Sequence, residues 1–169
     1  MLRPTTCLLL LALSLNLAAC DSGGGDDSIA LGSMTATVGG SSWDAANATA
    51  NVINAAGNRT LAISGATVGT QITTMSLTIT AIGGAAIGTG TYSLGDDATD
   101  NVFGSATYLP TFNPADAYSS TSGTVTISEI DDDHVEGTFS FTGQVAASGE
   151  TITVADGRFN VGYGPPVTP

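Results

Sequence analysis

Apolar and polar residues alternate with a period of two over most of the chain beyond residue 30. The clearest run is Thr74 to Ala81, TMSLTITA, in which Met75, Leu77, Ile79 and Ala81 fall on one face and Ser76, Thr78 and Thr80 on the other. A helix, with about 3.6 residues per turn, would scatter those apolar side chains, so the run predicts a half-buried strand. GTVTIS places Val125 and Ile127 inward, and GTFSFT places Phe139 and Phe141 inward. Between them lies Asp131-Asp132-Asp133, so the pair reads as a hairpin with an acidic turn, its solvated carboxylates keeping it from pairing with a neighbour.

In ETITVADGRFNV, Ile152 and Val154 share one phase, and Phe159 and Val161 take the opposite one. A β-bulge at Asp156-Gly157 would produce that inversion. Weaker candidates cover 33–38, 48–53, 61–67, 90–94 and 101–109, where Ala, Gly, Asn and Thr dilute the pattern. Eight or nine short strands joined by Gly/Asn/Asp turns predict an all-β chain. The expected architecture is a single antiparallel β-sandwich over 30–164, with a closed β-barrel as the alternative. The tail, 165–169, is rich in proline and is expected to fray.

The alternation does not reach the N-terminus. Arg3 precedes an apolar run over 7–17, broken only by Ser14 and Asn16. That is the length of a signal-peptide core and short of the roughly 20 apolar residues a membrane-spanning helix needs. Leu17-Ala18-Ala19-Cys20 closes the run and resembles a bacterial lipobox. On that resemblance, residues 1–19 are a lipoprotein signal peptide and Cys20 becomes the lipidated first residue. The stretch 20–29 then carries the lipid and a Gly/Asp/Ser tether, which has little to bury and stays flexible. The expected localisation is the bacterial cell envelope, at the outer membrane or on the periplasmic face of the inner membrane. Asp21 resembles the inner-membrane retention signal of enteric bacteria, and Ser22 is not its strongest companion, so both membranes stay open.

Composition sharpens this reading. The only cysteines are Cys7 and Cys20, so the domain itself has neither a disulfide nor a thiol metal site. The chain has no lysine, and beyond residue 19 its cations are Arg59 and Arg158, against fifteen Asp and Glu residues. The formal net charge is −12. That field repels nucleic acid and anionic lipid, so no nucleic-acid partner is expected and membrane attachment falls to the N-terminal lipid.

MTATVGGSSW at 34–43, SGTVTISEIDDDHVEGTFSFTG at 122–143 and VADGRFNVGY at 154–163 together resemble an uncharacterised family of small bacterial lipoproteins. In that family a short strand and a G-x-x-W segment open the domain, and GTVTI, GTFSFT and DGRFNV-like pieces close it. The resemblance covers both ends of the domain well and the middle poorly. It implies a secreted, all-β, lipid-anchored domain, and it brings no activity and no catalytic residue.

Candidate chemistry is sparse. His134 is the only histidine, sits at the acidic turn, and has no G-x-S-x-G elbow to serve, so no catalytic residue and no enzyme are expected. One histidine and no free thiol would leave any zinc site heavy in carboxylates, so zinc is not expected. No resident cofactor is expected. Calcium is the cation best suited to the loop acids Asp96, Asp97 and Asp100 and to Asp131, Asp132 and Asp133, although neither cluster has EF-hand spacing. Trp43 reads as a core plug at one end of the domain. Tyr108, Phe112 and Tyr118 in and beside the 109–117 loop are the candidate ligand contacts. The functional expectation is a non-enzymatic binding or structural module whose partner is an unknown envelope protein or glycan. A calcium-dependent adhesion or carbohydrate-binding module is the alternative, with a carboxylate-based hydrolase behind it.

Overall fold

A computed structural model describes residues 29–95 and 101–165. The described residues form ten strands: β1 (Ser33–Val38), β2 (Ser41–Asp44), β3 (Asn47–Ala55), β4 (Asn58–Ala66), β5 (Thr74–Ala81), β6 (Gly90–Ser93), β7 (Val102–Leu109), β8 (Tyr118–Ile130), β9 (His134–Val145) and β10 (Thr151–Gly162). All of them pair antiparallel in one sheet of order β2-β1-β10-β9-β8-β7-β5-β4-β3, with β6 on the second half of β8. The fold is therefore all-β, as the alternation predicts. The strands share one curled sheet, in which the concave face does what the two inner faces of a sandwich do.

The curl buries the period-two positions. Met34, Leu61, Ile63, Met75, Leu77, Ile79, Val125, Ile127, Val135, Val154, Phe159 and Val161 are all within 1% of complete burial. The sheet's two ends meet because β2 and β3 are consecutive in sequence. β2 pairs with β1, and after a two-residue corner β3 pairs with β4. At that corner the Ala45 amide donates to Met34 O and the Ala46 amide to Ala66 O, at 2.9 and 2.8 Å. A single parallel bridge, Ala50 to Tyr163, joins β3 to the end of β10.

Trp43 seals this seam from inside. Its indole Nε1 donates to Thr73 Oγ1 at 2.7 Å. Its ring lies against Gly65 of β4, where an added Cβ would stand 3.1 Å from the indole and 2.9 Å from Met34 Sδ. The core-plug expectation for Trp43 thus holds, and Gly65 is the residue that makes room for it.

Bulges in two strands re-aim side chains. In β10 the register shifts between Val154 and Gly157, with Asp156 in the left-handed region at φ 52°, which accounts for the phase inversion in the sequence. In β8 it shifts twice, between Ser120 and Ser122 and between Ile127 and Glu129; at the second, Ser128 is the extra residue. Ile127 faces the core, and simple alternation would send Glu129 the same way. The bulge turns Glu129 to the outer face, opposite Glu136.

Candidate functional site

β8 carries a distinct chemistry at each of its ends. Its thirteen residues separate the 109–117 loop from the acidic turn by roughly 40 Å at the usual rise per residue.

At the first end, Tyr108 and Tyr118 are cross-strand partners whose ring centroids lie 6.3 Å apart. Tyr108 is only 8% exposed, so one of the two rings is core. Burial pushes its phenol above the usual range, with the Thr73 hydroxyl pulling the other way. The Tyr118 hydroxyl donates to Glu150 Oε1 at 2.8 Å, and that bond is the main cause of its raised pKa. Phe112 does not join them. It stands 76% exposed on a loop stiffened from within: Thr111 donates to Asp116, and the Asn113 side chain accepts from the Ala115 amide to cap the single 3-10 turn Pro114–Asp116. Gln71 Nε2 donates to Pro110 O at 3.1 Å, which brings the 67–73 loop and its 70% exposed Val68 to this same end.

At the other end, the Asp131 carboxylate builds the turn. Its Oδ1 accepts from the amides of Asp133 and His134 at 2.7 and 2.8 Å and lies 3.1 Å from His134 Nδ1. Those donors, the His134 amide foremost, hold the Asp131 carboxyl below the usual carboxylate range. Asp132 and Asp133 are exposed. Glu129, His134 and Glu136 each offer one ligand atom, and these atoms all lie within 4.8 Å of one another. A row of cross-strand partners, Ser33, Asn160, Glu136 and Glu129, runs across β1, β10, β9 and β8. Asn160 lies in this row beneath the incoming chain. Its Nδ2 donates to Ile29 O at 2.9 Å and to Glu136 Oε2 at 3.3 Å, and its backbone O accepts from the Gly32 amide at 2.7 Å.

Open depressions lie elsewhere. One of about 420 Å³ is lined by Asn54, Asn58, Arg59 and Gly84 beside the β3–β4 turn. Another of about 370 Å³ lies on the outer face among Asn47, Thr49, Ser64, Thr74 and Ser76. Neither is lined by a carboxylate.

Of the residues singled out in the sequence, the fold brings Tyr108 and Tyr118 together and leaves Phe112 apart. It commits Asp131 to the turn. The segments expected to be a signal peptide, 1–19, and a tether from Cys20 onward, the acids Asp96, Asp97 and Asp100, and the tail beyond 165 lie outside the described residues. Glu129, Glu136 and Asn160 escaped the sequence reading. Counting outward from the turn pairs Ile130 with Val135 and Glu129 with Glu136, whereas continuing the phase of Val125 and Ile127 sends Glu129 inward; the Ser128 bulge reconciles the two. Comparisons with curated proteins and with solved structures returned no match. Over residues 32–161, from the first strand into the last, the chain matches the family described as a domain of unknown function (DUF6252), and it belongs to that family.

Proposed function

We propose that the chain is a lipid-anchored protein of the bacterial cell envelope whose domain is a non-enzymatic binding or structural module, meeting its partner through the 67–73 and 109–117 loops. The observation that carries this reading is polarity. The chain enters the domain at Ile29 and Gly32, clamped to Asn160 beside the acidic turn, and Phe112 and Val68 stand beyond the opposite end of β8. A lipid on Cys20, nine residues before Ile29, would hold the acidic end toward the membrane and turn the apolar loop tips away from it. Two exposed apolar side chains on loops braced by their own hydrogen bonds suit a protein or glycan surface better than open solvent. The lone histidine is engaged with Asp131 in a turn, an arrangement that favours a module over a hydrolase.

Replacing Cys20 with Ser should abolish metabolic lipid labelling and release the protein from the membrane fraction; persistent labelling would refute the anchor. A photo-crosslinker at Phe112 should capture envelope components, and one at Asp132 should capture fewer. The reverse pattern would refute the polarity.

A further inference from the structure

We propose that Glu129, His134 and Glu136 bind a divalent transition-metal cation of the zinc class on the outer face of the β8–β9 hairpin. Four observations converge. First, the three residues come from two strands and present ligand atoms within 4.8 Å of one another, close enough for small side-chain rotations to bring them onto one cation. Second, Glu129 shares that face only because the Ser128 bulge inverts its phase, and bulges often serve to aim a side chain at a site.

Third, His134 is already oriented. Asp131 Oδ1 engages its Nδ1 at 3.1 Å, which leaves Nε2 as the ring nitrogen open to a metal. A carboxylate behind a ligating imidazole is the usual support in such sites. Fourth, Asn160 is the one buried polar side chain among the described residues, 9% exposed, and its Oδ1 has no hydrogen-bond partner. The same amide rests its Nδ2 against Glu136 Oε2. A hydrated cation held at Glu136 brings donors to that buried amide, and buried polar atoms in native folds are nearly always satisfied.

The ligand set decides the class of ion. An imidazole with two carboxylates suits zinc and its transition-metal neighbours, whereas calcium wants six to eight oxygens and gains nothing from a ring nitrogen. The cluster is distinct from the consecutive turn acids Asp131, Asp132 and Asp133, of which only Asp131 takes part, and then from behind the imidazole. The inference stands whether or not Cys20 is lipidated.

The test is titration of the purified full chain, stripped with chelator, with zinc chloride and separately with calcium chloride. His134 is the only histidine, so its ring nitrogen resonances report occupancy without ambiguity. The expected result is one saturable zinc site, a shift of the His134 ring signals, and affinity for zinc at least tenfold above that for calcium. Glu129→Gln and His134→Ala should each weaken zinc binding tenfold or more, and Asp132→Asn should not change it. Glu129 is exposed, so its variant keeps the test valid even if the His134 change disturbs the turn. No saturable binding, tighter calcium than zinc, or zinc binding that survives Glu129→Gln without moving the His134 signals would overturn the proposal.

Discussion

Gly157 shows how tightly individual positions are specified. It follows Asp156 at the β10 bulge and pairs with Phe139 of β9, whose ring is stacked on Phe159 at 6.3 Å. A Cβ at Gly157 would meet three atoms of the Phe139 ring at 2.6 Å. Gly157→Ala should therefore destabilise the fold by about 1–3 kcal/mol through overpacking. Asp156→Gly, at a φ that glycine adopts freely, should change little; urea unfolding of both variants separates packing from backbone strain. The tyrosines make a second residue-scale case. Tyr108, Tyr118 and Tyr163 all have raised pKa values: burial leads for Tyr108 and Tyr163, and the bond to Glu150 leads for Tyr118. A raised folded pKa means that stability is complete below the unfolded value, about 10, and is lost as pH climbs through the folded one. With no lysine in the chain, little else titrates in that range. Stability should fall above about pH 10 in step with tyrosinate absorbance, and Tyr118→Phe should shallow that fall; an unchanged slope would mean Tyr118 contributes nothing.

Among the elements, legibility followed the strictness of alternation. Thr74–Ala81 could be read to the residue because it alternates without a break, and its inward positions are buried as expected; the weaker candidate over 33–38 matches β1 in its bounds. The bulge in β10 was legible because Phe159 and Val161 are large enough to reveal the inverted phase. The bulge at Ser128 in β8 was not, because Ser128 and Glu129 are both polar and mark no phase. β2 was hidden in a turn signal, since a four-residue strand with Trp43 as its one buried side chain has no period to show. The first half of β8, YSSTSG, lacks any apolar alternation. It is a strand because β7 and β9 flank it on both sides, information that no local window contains. For the same reason the candidate cluster of Glu129, His134 and Glu136 depends on a bulge, and its Asn160 neighbour on a strand pairing, that tertiary structure alone reveals.

For the molecule as a whole, alternation reports faces and leaves neighbours open, so one curled sheet and two stacked sheets write nearly the same pattern. What decided between them was the corner at Ala45 and Ala46, where one strand changes partners and joins the sheet's ends. The strand order has a further property: β1 pairs with β10, Ser33 with Asn160. A chain ending at Glu150 leaves β1 paired only with the four-residue β2 and strips β9 of one of its two neighbours. Such a truncation should show no cooperative unfolding transition and no near-ultraviolet signal from Trp43; a cooperative transition in the truncated chain would show that β10 is dispensable.

That pairing also sets a clock. At a synthesis rate of roughly 5–20 residues per second, the interval between the appearance of Ser33 and that of Asn160 is on the order of ten seconds. Throughout that time the earliest strand has no main partner, and the shell cannot close around its core. If the chain is exported as proposed, it crosses a membrane before it folds, and such a delay would be an asset. The last strand to be made is the latch: β1 gains its main partner only once β10 has been synthesised.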